Sequence, residues 1–179
     1  RDLVRSRGLG DVYKRQTQPL VTGGGGVTVK YKQVTLSAFF HGRFGQSIVN
    51  MARMNNESMF GSNNQSKAVL RRWKNEGDNT DIPRALYNEG RNYLGSDRFV
   101  EKASFVRLKS MTLSYGFPRK ICNRFNVNSL SVFVTGYNLF TWTNYTGQDP
   151  EVSVKDNLAI DTATTPVAKR FSFGLNMSF

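Results

Sequence analysis

The feature that most constrains this chain is its last stretch, Val167-Ala168-Lys169-Arg170-Phe171-Ser172-Phe173-Gly174-Leu175-Asn176-Met177-Ser178-Phe179. Side chains alternate across a strand, so Phe171, Phe173, Leu175, Met177 and Phe179 share one face, and Arg170, Ser172, Gly174, Asn176 and Ser178 take the other. Alternation over roughly ten residues matches a tilted strand that crosses a bilayer and exceeds the usual strand of a soluble sheet. The apolar face is largely aromatic and runs to the last residue, where an ordinary domain frays. The pattern favours a β-barrel over a soluble sandwich. No apolar run approaches the roughly 18 residues of a membrane-spanning helix, and mean hydropathy is −0.45, which excludes a helical span and leaves a barrel open.

Further strands follow the same logic. In 128–140, Leu130, Val132 and Val134 oppose Ser131, Phe133, Thr135 and Tyr137. In 103–117, Met111, Leu113, Tyr115 and Phe117 alternate with Ser110, Thr112, Ser114 and Gly116, while Val106 and Leu108 sit in the opposite phase, which predicts a bulge near Lys109. Residues 34–44 and 26–31 read as two more strands around a tight Lys32-Gln33 turn. The connections alternate in length: very short after Tyr31, roughly 55 residues over 45–99, about ten over 118–127 and nearly 30 over 141–169. Loops beyond about 15 residues are uncommon in compact domains. Outer-membrane barrels have short turns on the periplasmic side and long loops outside. With Phe179 at the periplasmic side, both long connections fall outside and both short ones inside.

Charge and soft ligands narrow the chemistry. Lys and Arg number 25 against 13 Asp and Glu, a formal charge of +12, so nucleic acid, phosphates and lipid headgroups are all admissible partners. The single Cys122 and single His41 exclude a disulfide framework and a Cys-rich zinc site. Residues 1–16 carry neither a secretory nor a lipidation signal and read as a non-native or disordered leader, of the kind a sequencing adapter leaves; 17–179 is the folding part. Without the leader, 20 Lys and Arg face 11 Asp and Glu, a charge of +9.

Individual motifs favour no catalysis. Gly23-Gly24-Gly25-Gly26 lacks the Lys-Ser/Thr of a phosphate loop and reads as a flexible turn. Asp78 and Asp81 lack calcium-loop spacing, and Asp149 and Glu151 flank Pro150 in what reads as a solvated loop. His41 has no nearby Cys or Asp to orient it and defaults to a satisfied strand or interfacial residue. Residues 66–76 read as a short helix capped by Ser66 and stopped by Gly77, and 50–65 as surface loop. Tyr115, Phe117, Tyr137, Phe140, Trp142, Tyr145 and Phe179 are read mostly as strand-end aromatics of the kind that form bilayer girdles. Arg71, Arg72, Lys74, Arg84 and Arg91 fall in the first long connection.

With Val34–Gly42, Arg72-Trp73, Asn79–Arg84, Ala103–Lys109 with Leu113-Ser114-Tyr115, Val134–Trp142, Tyr145–Val152 and the terminal Phe179 in view, the chain resembles the C-terminal end of the SusC/RagA family of TonB-linked outer-membrane transporters, over roughly 23–179. The resemblance implies an all-β fold, the closing strands of a transmembrane antiparallel barrel of about 22 strands around a plug. It implies import of oligosaccharides or peptides with a SusD-like surface lipoprotein and energy from the TonB complex, contacted through a part this chain lacks. It further implies that the terminal aromatic is read by the barrel-assembly machinery, a signal that Phe171, Phe173, Leu175, Met177 and Phe179 would carry. The expectation is therefore a transport segment set in outer-membrane lipid, with no enzyme activity, cofactor, metal or nucleic-acid partner. The competing reading is a soluble basic β-module that binds nucleic acid.

Overall fold

The computed structural model describes residues 17–86, 96–152, 154–155 and 158–179. Its chain divides into two compact units: a wall of residues 20–44, 104–144 and 166–179, and a second unit containing 45–103 and 145–165.

The wall is one five-stranded antiparallel sheet. Its strands are β1 (Val21–Tyr31), β2 (Val34–Phe44), β5 (Phe105–Gly116), β6 (Ser129–Thr143) and β9 (Arg170–Ser178), in the spatial order β1-β2-β5-β6-β9. Sequential neighbours pair antiparallel throughout, so the connections alternate between the two ends of the sheet. The bulge expected near Lys109 is present. The register slips between Phe39 and Phe40 on β2 and between Leu108 and Ser110 on β5, which returns Leu108 and Val106 to the face occupied by Met111.

β1 corrects one expectation. The glycines Gly23–Gly26 form no turn; they lie inside an eleven-residue strand paired along its whole length with β2. The physical reason lies across the pair, where the Phe39 ring is folded down over β1. A Cβ at Gly24 would stand 2.9 Å from Phe39 Cζ and 3.1 Å from the Phe40 carbonyl oxygen. The following turn is tight, with Lys32 at a φ of 52°.

The short connection between β5 and β6 carries an unexpected helix, α2 (Arg119–Arg124), entered from Pro118. Cys122 is its buried residue, and its thiol donates to the Phe117 carbonyl at 3.6 Å.

The second unit holds β3 (Ser47–Asn50), α1 (Met51–Asn56), β4 (Val100–Lys102), β7 (Val154–Lys155) and β8 (Leu158–Asp161). Its sheet order is β4-β3-β8-β7, so the two long connections pair with each other, Val49 opposite Ile160 and Asn50 opposite Asp161. Ile48, Ala103, Tyr145 and Ala159 form its apolar centre, with Val152 packed against them. Residues 50–65 are thus not all loop: Asn50 caps α1 by accepting from the Arg53 N–H at 2.9 Å, and Met54, Glu57 and Ser58 are buried. The helix expected over 66–76 shrinks to a 3-10 turn, Lys67–Arg71. Ser66 caps it as expected, but it ends well before Gly77.

Candidate functional site: two faces of a wall and its terminal strand

Register decides what each face of the wall can meet. One row runs Val29, Leu36, Leu113, Val134, Phe173; the next runs Tyr31, Val34, Tyr115, Val132, Leu175. A third row is Val27, Ala38, Met111, Gly136, Phe171. One face is therefore apolar across all five strands, although each strand alone shows only period-two alternation. Toward one end it continues into Phe40, Phe140 and Trp142, whose rings stand 6.1 to 6.4 Å apart around Trp142, with the Lys169 ammonium 5.7 Å from the Phe140 ring. At the other end Tyr115 meets Phe117 edge-on at 5.2 Å, and Lys32 lies 5.4 Å from the Tyr31 ring. From Val34 to Phe44 the strand rises about 3.3 Å per residue; tilted by about 40°, it spans about 25 Å, the height of an outer-membrane apolar band. The rings at the two ends form the girdles such a band requires.

The opposite face is a hydroxyl surface. Thr28, Ser37, Thr112, Thr135 and Ser172 form one continuous row across the five strands. Two cross-strand bonds lie within it: Thr28 Oγ1 with Ser37 Oγ at 3.0 Å, and Thr112 Oγ1 with Thr135 Oγ1 at 2.9 Å. The next row is Lys30, Thr35, Ser114, Phe133, Gly174, and there the Phe133 ring lies flat over Gly174, where any Cβ would overlap it. His41 is on this face, opposite Arg107 on β5, with its ring 6.0 Å from Phe105. As expected it is a strand residue, within β2, and its buried Nδ1 has no hydrogen-bond partner among the described residues.

The terminal strand β9 stands at a sheet edge. Phe171, Phe173, Leu175 and Met177 all lie on the apolar face, at 61, 81, 58 and 48% exposure, and Phe179 is 81% exposed. The structure thus sets Phe171, Phe173, Leu175 and Met177 on one open apolar face of a strand that ends the sheet among the described residues, with Phe179 exposed just beyond it. Two aromatics read as girdle residues are placed elsewhere: Tyr137 stands opposite Ser110 and Arg170 on the polar face, and Tyr145 is buried in the second unit.

The second unit brings the residues of several sequence motifs into contact. Glu101 accepts from the Thr146 hydroxyl at 2.7 Å, the Thr146 N–H at 3.1 Å and Arg53 Nη1 at 3.2 Å. Burial works to raise the Glu101 carboxyl, but these donors outweigh it and hold the group below its ordinary range. Arg53 also reaches Glu57 at 2.8 Å; burial alone would lower the guanidinium, and its two carboxylate partners raise it. Tyr145 donates to Asp161 at 2.7 Å, and burial, then this carboxylate, pushes the phenol far above its ordinary range. Gln46 donates to the Ala103 and Pro150 carbonyls at 2.8 and 3.0 Å. The Trp73 N–H meets the Ile82 carbonyl at 2.9 Å, and Thr80 meets that of Arg71 at 2.6 Å. Asp78 accepts the Lys74 and Asn75 N–H groups. Asp149 accepts from the Glu151 N–H at 2.8 Å, a turn contact. Sequence reasoning assigned no role to Gln46, Asn50, Glu57 or Glu101; Glu57 pairs locally with Arg53, and only the pairing of two distant connections reveals the other three. Arg91 lies outside the described residues.

The continuous apolar face bounded by two girdles is an outer-membrane β-barrel wall. TonB-dependent receptor P3 of Formosa agariphila is 30% identical over 169 residues, covering 90% of this chain. The chain is homologous to the TonB-dependent receptors. TonB-dependent receptor P26 of the same organism is 28% identical over 85% of the chain. The receptor homologue spans 16% of the length of each of these relatives. Two solved structures share its fold: the RagAB peptide importer in its closed-closed state, with a TM-score of 0.77 at 28% identity, and the RagAB peptide transporter, at 0.76 and 27%. Each is matched over 91% of this chain and 18% of the solved chain. No protein-family model matches the sequence.

Proposed function

We propose that this chain is the C-terminal wall segment of an outer-membrane TonB-dependent transporter, taking no part in catalysis, that imports peptides or oligosaccharides together with a SusD-like surface lipoprotein. The observation that carries the reading is the five-strand apolar face with aromatic ends, joined to the likeness to receptor P3 and to the RagAB importer. In this reading the apolar face meets outer-membrane lipid, the hydroxyl face lines the barrel interior, and the two long connections form an external mouth where the lipoprotein docks. Energy arrives from the TonB complex through parts of the receptor outside this chain. Peptide is the better-supported cargo, because both matched structures are of a peptide transporter.

We also propose that β9 is the assembly signal. A free strand edge with an aromatic apolar face is what a barrel-assembly machine can pair with before the wall closes. The reading is tested in cells with the full-length receptor. Uptake of a labelled peptide mixture is expected to collapse when the proton gradient is discharged and when the cognate lipoprotein gene is deleted. Uptake that survives both treatments would overturn it. For the signal, deletion of Phe179 together with Phe173→Ser is expected to leave the receptor in periplasmic aggregates; normal surface levels would remove β9 from that role.

A further inference from the structure

The wall unit contains no Asp or Glu at all, while it carries ten Lys and Arg. Every carboxylate side chain of the folded part lies in the second unit, so no acidic side chain of the wall is available to pair with those cations. Four of them gather at the end of the sheet that holds the short connections: Lys32 in the β1–β2 turn, and Arg119, Lys120 and Arg124 on α2. All four are exposed. They are interleaved with apolar groups that a soluble surface would hide, Phe125 at 65% exposure and Ile121 at 37%. α2 is held in place by its other side, where Cys122 and Val127 are buried and the thiol bonds the Phe117 carbonyl. Phe117 in turn packs edge-on against Tyr115, a member of the apolar face. The basic, aromatic rim is therefore continuous with the lipid-facing band.

We infer that α2 and the β1–β2 turn form an interfacial anchor that binds the anionic headgroups of phospholipids at the short-connection rim, with Ile121 and Phe125 seated at the headgroup–acyl boundary. This rests on the membrane reading above. Anionic phosphate fits on three grounds. Cations without carboxylate partners need external counter-ions, guanidinium forks match phosphate oxygens, and amphipathic rings sit at headgroup depth. A cation near an anionic membrane surface contributes about 1 kcal/mol, about fivefold in affinity, so a cluster gives a composition-dependent preference and not a fixed site.

The test uses the full-length receptor in vesicles of phosphatidylglycerol and phosphatidylcholine, with Cys122→Ser as background. Nitroxide labels are placed singly at Phe125→Cys, Ile121→Cys and, as the membrane control, Leu175→Cys, and their collisions with oxygen and with a water-soluble nickel chelate are compared. The label at 175 should read as acyl core, and those at 121 and 125 as headgroup depth. If 175 reads as acyl core while 121 and 125 are fully aqueous, the anchor is wrong and the membrane reading stands; if 175 is aqueous, both fall. In the second arm, Arg119→Gln, Lys120→Gln and Arg124→Gln together should lower the enrichment of phosphatidylglycerol around the receptor about tenfold or more. The charge-keeping pair Arg119→Lys and Arg124→Lys should retain most of it. Unchanged enrichment in the glutamine variant would overturn the inference.

Discussion

Replacing Leu175 by arginine in the full-length receptor places a guanidinium on the apolar face of β9, four residues from Phe179 and six from Lys169. At about 3.3 Å per residue and a tilt of about 40°, that is about 10 Å inside one edge of the band and about 15 Å inside the other. Leu175 stands opposite Val132, which stands opposite Tyr115, so its neighbour in the row is aliphatic and no carboxylate in the row offers the charge a partner. An arginine near the middle of the band costs about 2 to 4 kcal/mol, falling toward about 1 or less at the rims. Met177→Arg, two residues nearer the rim, can snorkel and should cost less than Leu175→Arg. Asn176→Arg, between them in sequence but on the hydroxyl face beside Ser131, should cost less than about 1 kcal/mol. The assay is reversible urea unfolding in lipid vesicles, comparing midpoints at constant slope. The expected order is 175, then 177, then 176. If Asn176→Arg costs as much as Leu175→Arg, the faces have been assigned the wrong way round.

Gly174→Ala should cost about 1 to 3 kcal/mol by driving a methyl into the Phe133 ring, and most of that should vanish in a Phe133→Ala background, as read by a double-mutant cycle. Tyr145→Phe removes the hydroxyl bonded to buried Asp161 and should weaken the second unit by about 1 to 3 kcal/mol, seen as faster amide exchange over 158–163; unchanged exchange would deny that bond a structural role. Because the folded Glu101 carboxyl lies below its ordinary value of 4.5, its contribution is present above pH 4.5 and is lost as pH falls through the lowered folded value. Proteolysis of the long connections should therefore rise on acidification below that point, and Glu101→Gln should show the sensitivity at neutral pH already. The isolated 179-residue chain leaves the β1 and β9 edges open and should give no heat-modifiable gel shift in detergent; a compact, heat-modifiable monomer would contradict the edge argument.

Local chemistry makes much of this protein readable before any coordinates. Period-two alternation in 167–179, 128–140 and 103–117 marks strands, because side chains of a strand alternate whatever surrounds it, and the phase flip around Lys109 marks the bulge for the same reason. The apolar set Phe171, Phe173, Leu175, Met177 and Phe179 is likewise a property of the chain itself. The limits appear where a neighbour overrides local preference. Gly23–Gly26 become strand because β2 pairs with them, and Phe39, a residue beyond the next turn, occupies the space over Gly24 and Gly26. Tyr145 looks like a girdle aromatic and is a buried hydrogen-bond donor, since Asp161 reaches it only when β8 pairs with β3.

The sequence by itself therefore determined the strands, their two-faced character, the alternation of short and long connections and the surplus of cations, all of which depend on spacing along the chain. Tertiary structure alone decided three things. It aligned five alternating strands so that their apolar residues merge into one continuous surface and their hydroxyls into one row. It folded two connections far apart in sequence into a single unit around Glu101 and Tyr145. It also separated the charges, leaving the wall with cations only. Each depends on register and long-range pairing, which bring together residues whose separation along the chain carries no local signal.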